Sequence, residues 1–194
     1  MEDSVLKSFS DAIRSFTAID DNDLDEIKLF CSVLDLKKND FFLKEGQVCQ
    51  QICFVNFGML RHFYFTEQHE VTRWITMEHE FTSSLQSFIS GIPSIENIQA
   101  IIDCELVIFD RNAFNHLLDN NAGFKNLWIK ALEYNYLTIE NRVFSLIKKS
   151  AEERFEWMVK YQPQFILYVP VKYTSSMLGI TTRHLSRLRK KYSF

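Results

Sequence analysis

From Phe124 to Lys149 the chain contains neither glycine nor proline, and this run constrains the fold more than any other feature. A helix of about 24 residues spans roughly 36 Å, longer than a small domain needs internally. Trp128, Leu132, Ile139, Val143 and Leu146 recur near helical spacing along one face, while Leu127, Ala131, Leu137, Phe144 and Ile147 lie elsewhere around the axis. A helix that is apolar on more than one face must bury against its own domain and against something else. The economical partner is a second copy in a symmetric dimer, and Trp128, Leu132, Ile139 and Val143 are the expected pairing positions. A core helix between two lobes is the alternative.

The flanks of this run differ in texture. Residues 1 to about 36 read as helical, with Leu24, Ile27 and Leu29 to Leu34 on the apolar face. From Phe41 to about Phe109 the segments Ile52 to Val55, Met59 to Phe65, Val71 to Ile75 and Leu106 to Phe109 are short and rich in β-branched and aromatic residues. Glu45-Gly46, Asn56-Phe57-Gly58 and Thr66-Glu67-Gln68-His69 separate them. This pattern predicts a compact antiparallel β sandwich or roll. Asn112 to Leu118 reads as a short helix, and Asn120-Asn121-Ala122-Gly123 as a break before the long one. Ser150-Ala151-Glu152-Glu153 is a capping box, so a new helix is expected there, packing Phe155 and Met158 and ending at Gln162-Pro163. The expected division is a mainly β domain over 1–122, a dimerisation helix over 123–149 and a third unit over 150–194.

Composition narrows the class. The 194 residues are 46% hydrophobic and 24% charged, with 5 Gly and 3 Pro, which excludes a disordered or collagen-like chain. No apolar run approaches the roughly 18 residues that span a bilayer. Glu2 and Asp3 stand where a secretory signal would be basic, so a cytoplasmic protein with no membrane partner is expected. Cys31, Cys49, Cys53 and Cys104 are too scattered for a disulfide framework or an iron–sulfur site.

Charge is distributed unevenly. The chain carries 22 Lys and Arg against 25 Asp and Glu, yet Pro170 to Phe194 holds Lys172, Arg183, Arg187, Arg189, Lys190 and Lys191 and no acid. A basic end on an acidic protein suggests a surface that meets a polyanion. Val169-Pro170 marks the entry to a helix over Lys172 to Leu178. Gly179 permits a left-handed turn, and Thr181 can cap a second helix from Thr182 to Tyr192. Ile180, Leu185, Leu188 and Tyr192 point inward, and Ser175 is small where two helices cross. Arg183, Arg187 and Lys190 at i, i+4 and i+7 share the outward face. This is a helix-turn-helix pattern, and its second helix suits the major groove of double-stranded DNA. Arg183 and Arg187 are expected to read guanine, with Lys190 on a base or a phosphate. Thr182 opens the same helix, and Lys172, Thr181, Ser186, Arg189 and Lys191 are placed for phosphate contacts.

The order as a whole resembles the Crp/Fnr family of bacterial transcription regulators. Phe42-Leu43-Lys44-Glu45-Gly46, Ile52 to Gly58 and Leu178-Gly179-Ile180-Thr181 through Arg187 carry the likeness. The resemblance implies an α+β chain: a cyclic-nucleotide-binding-like jelly roll (double-stranded β-helix), a long dimerisation helix and a C-terminal winged helix-turn-helix. The chain stops soon after the second helix, so the terminal hairpin of longer relatives is expected to be missing. It also implies a homodimer on two-fold symmetric DNA, with RNA polymerase as a further partner. Cyclic-nucleotide binders of the family use a Phe-Gly-Glu and Arg-Ser cassette. Here the matching stretches are Phe81-Thr82-Ser83-Ser84 and Pro93-Ser94-Ile95-Glu96. Ser83 replaces the glutamate, Ser94 replaces the arginine, and Glu96 adds a negative charge. Ser83, Ser84 and Ser94 therefore mark an effector pocket that is expected not to take cyclic AMP. Its ligand is an unidentified small molecule, or none, and no cofactor is expected.

Two other functions compete. A β-roll can be a metal-dependent cupin enzyme, but such a site wants His-x-His, whereas His62, His69 and His79 are widely spaced and read as surface or turn residues. Glu78 and Glu80 read as a solvated turn, and no nucleophile elbow or phosphate loop appears. The remaining alternative is a ligand-binding or protein-interaction roll with a vestigial helix-turn-helix.

Overall fold

The computed structural model describes residues 2–67 and 69–192. Helices α1 (Glu2–Phe16) and α2 (Asp21–Leu29) precede two four-stranded antiparallel sheets. The first sheet has the order β1 (Ser32–Leu36), β8 (Cys104–Asp110), β3 (Gln51–Phe57), β6 (Phe81–Thr82). The second has the order β2 (Phe41–Leu43), β7 (Asn97–Ala100), β4 (Leu60–Phe65), β5 (Glu70–Thr76). Together they form the jelly roll, with α3 (Leu85–Ser90) between β6 and β7 and α4 (Arg111–Asn120) after β8.

The amino-terminal stretch departs from the helical reading at one end. Leu29 is exposed and ends α2, and the following Ser32-Val33-Leu34-Asp35-Leu36 pairs with β8 from Ser32–Ile108 to Leu36–Cys104. At the edge of its sheet, this five-residue segment is fixed by its pairing with β8 and not by a helical period. In α1, Val5, Phe9 and Ile13 recur every four residues and are all buried. Phe9 lies edge-on to Phe54, 5.1 Å away, and tilted against Phe109 at 6.1 Å. This cover explains why Ile52, Cys53, Phe54 and Val55 in β3 are all buried instead of alternating.

The long helix α5 (Ala122–Lys148) starts earlier than its glycine suggests. Buried Asn121 is its N-cap, its Oδ1 accepting from the Phe124 N–H at 2.7 Å, while its Nδ2 donates to Glu26. The Gly123 N–H donates to the Asp23 carboxylate at 2.9 Å, and a Cβ on Gly123 would collide with that side chain. Here glycine permits close approach of α2 instead of breaking the helix.

Four helices follow: α6 (Ala151–Tyr161), α7 (Pro163–Tyr168), α8 (Val171–Leu178) and α9 (Thr182–Lys191). The capping box forms, with Ser150 Oγ accepting from the Glu153 N–H and Glu153 accepting from the Ser150 N–H. Pro163 ends α6 and also opens α7, since a proline lacking its N–H is tolerated in a first turn. Among the described residues no strand follows β8, and α7 stands directly before the two terminal helices. Phe155, Phe165, Met177, Leu178, Leu185 and Leu188 make a second core that takes in Ile75 and Ile101 from the roll.

Candidate nucleic-acid interface and cavity

Helices α8 and α9 meet at Gly179, whose φ of 68° and ψ of 34° lie in the left-handed region that side chains rarely adopt. Thr181 caps α9, its Oγ1 accepting from the His184 N–H at 3.1 Å. Leu185 and Leu188 are buried and Ile180 and Tyr192 partly so, which fixes the rotation of α9 about its axis. Thr182, Arg183, Arg187 and Lys190 are consequently exposed. None of these three cations has a carboxylate within ion-pair distance among the described residues.

The other candidate phosphate contacts are engaged differently. Lys191 pairs with Glu152, to which Tyr192 also donates, and Lys172 lies 3.5 Å from Glu70 of the roll. Thr181 acts as the cap, the Ser186 hydroxyl donates to the Thr182 carbonyl at 2.9 Å, and Arg189 is half-buried. Ser175 is buried and donates to the Lys172 carbonyl, as the crossing requires.

Helix α8 also rests on the roll. The Thr72 N–H donates to Ser176 Oγ at 2.8 Å, and the buried Arg61 guanidinium lies between the Phe63 and Tyr173 rings. Arg154 from α6 reaches the Leu178 carbonyl with two nitrogens, at 3.1 and 2.8 Å.

On α5, Ile139 and Val143 are exposed, as are Leu137, Phe144, Leu146 and Ile147, with 45–75% of their surface open. Leu132 is half-buried. Trp128, expected on the pairing face, turns instead toward its own roll, 4.8 Å from Phe114 and edge-on to it. Its spacing matched the exposed set, but it lies on the first half of α5, which the roll covers.

A cavity of about 390 Å³ lies between the roll and α5. Of the three expected pocket serines, only Ser83 lines it, and its hydroxyl donates to the Gln51 carbonyl at 3.0 Å. Ser84 and Ser94 are buried in the wall, hydrogen-bonded to each other at 3.0 Å, and Ser94 also donates to the Glu96 carbonyl. The position matching the family's arginine therefore offers no cation and no free hydroxyl to a ligand.

The cavity's polar groups come from residues that the sequence reading assigned elsewhere, His62, Glu80 and Glu96, or did not single out, Arg73 and Arg142. His62 is buried, not at the surface. Its Nε2 lies 2.9 Å from Thr82 Oγ1 and 3.1 Å from Thr76 Oγ1, and its Nδ1 lies 3.5 Å from Glu96. Burial lowers the imidazole's pKa against the pull of that carboxylate. Arg73 donates Nε to Glu96 at 3.0 Å. Burial alone would raise the Glu96 carboxyl, but His62 and Arg73 outweigh it and hold it down to about 2. Glu80 is also not a solvated turn residue: burial raises its carboxyl to about 7 despite a hydrogen bond from the Met77 N–H. The only advance sign of this cluster was the excess of polar side chains at inward positions of β4 and β5. Among the described residues no three metal-ligating side chains converge.

The sequence pattern of the cyclic nucleotide-binding domain matches residues 33–121. Among solved structures, FixK2 from Bradyrhizobium japonicum superposes with a TM-score of 0.70 at 14% identity, over 84% of each chain. The c-di-GMP-responsive global regulator CLP from Xanthomonas campestris gives 0.69 at 12% identity, over 90% of this chain and 92% of that one. A Crp/Fnr-family protein from Eubacterium rectale gives 0.65 at 15% identity, over 90% and 84%. This chain has the Crp/Fnr fold. No curated protein sequence matches it. Within the Crp/Fnr fold the cavity lies beside the segment that matches the nucleotide cassette, and the exposed cations lie on the last helix. Among the described residues no helix is long and apolar enough to cross a membrane.

Proposed function

We propose that the protein is a transcription regulator of the Crp/Fnr family that binds double-stranded DNA as a homodimer through α9. The observation that carries this reading is the α8–Gly179–α9 unit, which leaves Arg183, Arg187 and Lys190 exposed and free of acids. A helix 10–12 Å across fits a major groove about 12 Å wide. Arg183 and Arg187 carry the fork geometry that matches guanine O6 and N7, with Lys190 beside them. Lys172, Thr181, Thr182, Ser186, Arg189 and Lys191 would set register on phosphates. For Lys172 and Lys191 this means exchanging Glu70 and Glu152 for DNA oxygens.

Dimerisation follows from α5. Ile139, Val143 and Leu146, about half exposed, share a face of α5 with Leu132, and an isologous pairing of two such helices would remove that face from water. The same helix would fix the spacing of the two copies of α9. The division into an effector part over 1–122, a pairing helix over 123–149 and a DNA-binding part over 150–194 belongs to this reading, as do a cytoplasmic location, contact with RNA polymerase and the lack of catalysis.

The effector cavity is not a cyclic AMP site in this reading. A cyclic phosphate placed at the cassette would meet Ser83, with Ser94 buried out of reach, instead of an arginine, and a buried anion without its cation costs several kcal/mol.

Two measurements test the proposal. Genome-wide mapping of bound DNA identifies the operator. On that operator Arg187→Ala should cost about 1–3 kcal/mol and relax the base preference at one position. Log K should fall with log salt at a slope of about −5 if six phosphates are neutralised. An unchanged operator affinity in Arg187→Ala, or a wild-type chain that ignores duplex DNA at low salt, would overturn the reading.

A further inference from the structure

Arg142 on α5 lines the cavity, and its surroundings are electrostatically unbalanced. It is half-buried, and its hydrogen bond among the described residues runs from Nη2 to the Met177 carbonyl at 2.9 Å. No carboxylate pairs with it there. The charges that act on it are Arg73 and Arg154, and with burial they push the guanidinium's pKa down. A half-buried cation flanked by cations, at the rim of a cavity, is a place for an anion.

The rest of the lining sets the anion's charge. Arg73 is matched by Glu96, His62 is kept uncharged by burial, and Glu80 is about half protonated at pH 7. Arg142 is thus the cation left without a carboxylate partner, and with Glu80 partly ionised the lining carries less than one net positive charge, which suits a monoanion better than a phosphate dianion. Beside Arg142 on α5, Ile139, Val143 and Leu146 line the cavity, with Trp128 and Leu85 deeper in it. That surface calls for an apolar body. The charged end lies against α5 and Arg73, away from the wall serines Ser84 and Ser94.

We propose that this cavity binds a small organic carboxylate, its charged end between Arg142 and Arg73 and its apolar body along Phe81, Leu85 and Trp128. Arg142 also couples the site to the terminal helices. The carbonyl it holds belongs to Met177, in the last turn of α8 and two residues before Gly179. A carboxylate that draws the guanidinium toward the cavity weakens or re-aims that bond. The binding part of this inference stands on the cavity alone, and the coupling part rests on the regulator reading above.

The test uses the full chain and two probes of one shape, 2-naphthoate and its neutral isostere 2-naphthamide, in isothermal titration. Naphthoate should bind at least about tenfold tighter than the amide, as expected for a fork-matched, charge-assisted pair. Arg142→Gln should bring naphthoate to the amide's affinity and leave the amide unchanged, so that amide binding reports an intact cavity. Should that variant not fold, Arg142→Lys keeps the charge and loses the fork, and it should weaken naphthoate alone by several-fold. Equal binding of the two probes, discrimination that survives in the variant, or cyclic AMP binding tighter than naphthoate overturns the assignment. With naphthoate present, duplex affinity read by fluorescence anisotropy should shift at least about threefold in the wild type and not in Arg142→Gln. A wild type whose DNA affinity ignores bound naphthoate overturns the coupling. A chain that binds naphthoate selectively but no DNA overturns the regulator reading and leaves the carboxylate site standing.

Discussion

Glu80 supplies the most direct check on the electrostatics of the roll. Its side chain lies under Phe81 at the meeting of two cavities, with Tyr134 of α5 as a neighbour and the Met77 N–H as a hydrogen-bond donor. Burial raises its carboxyl from an ordinary 4.5 to about 7. A carboxyl whose folded pKa is raised disfavours the native state wherever it must ionise. Below about pH 4.5 it is protonated in both states and has no effect. Between about 4.5 and 7 unfolding releases a proton, so stability falls as pH rises, and above 7 the full penalty persists. At about 1.36 kcal/mol per pH unit, a shift of about 2.5 units, from 4.5 to 7, sets that penalty at up to about 3 kcal/mol.

Glu80→Gln removes the titration and keeps an oxygen that can accept from Met77. The variant should match the wild type near pH 4 and exceed it by up to about 3 kcal/mol near pH 8. Urea unfolding followed by tryptophan fluorescence, at one fixed protein concentration because a dimer's stability depends on it, reads this difference. Parallel pH profiles for the two proteins would refute the argument, since they would show that Glu80 titrates alike in the folded and unfolded chains.

Glu96 should behave in the opposite sense. Held down to about 2, it stabilises the fold above about pH 4.5 and loses that contribution as pH falls toward 2, so Glu96→Gln should flatten the acid limb of thermal melts between those values while lowering the melting temperature at pH 7. Ile139→Asp should convert a dimer into monomers in sedimentation velocity with the roll still folded, and a wild type that sediments as a monomer at working concentration would contradict the proposed pairing. Gly123→Ala should destabilise by about 1–3 kcal/mol in urea despite alanine's better helix propensity, because the added methyl collides with Asp23.

What could be read from the sequence, and what could not, divides along local and non-local physics. The capping box at Ser150, the left-handed Gly179 and the Thr181 cap rest on residues within four positions of one another, and the structure forms each as the spacing predicts. The strands β3, β4, β5 and β8 announce themselves through β-branched and aromatic runs. Strands β1, β2 and β7 do not, because they are short and all their partners lie more than thirty residues away. Gly123 misled for the same reason: its requirement comes from Asp23, a hundred residues earlier in the chain. Trp128 follows the periodicity of the exposed face, yet only the position of Phe114 and Phe81 decides that it turns inward. The cavity is the extreme case, since His62, Arg73, Glu80, Glu96 and Arg142 come from five separate places in the chain.

The same non-local packing bears on how such a molecule can transmit a signal. A DNA-binding unit joined only through a long helix could respond only to movements of that helix. Here the terminal helices share a core with Ile75 and Ile101 of the roll, and Thr72 donates to Ser176 across the boundary. Lys172 and Glu70 form an ion pair between the two, and the Arg61 guanidinium, stacked on Tyr173, is itself bonded to Glu70 and Gln99. Strand β5 therefore has Arg73, Trp74 and Thr76 at the cavity and Glu70 at α8, with Thr72 between them bonded to α8 through its backbone. A side chain's direction alternates along a strand, so a shift in β5 forced from the cavity side necessarily moves the groups that hold α8. Two sets of contacts join the cavity lining to α8, one from Arg142 to the Met177 carbonyl and one from β5 through Thr72 and Glu70, and the coupling proposed above would run through them.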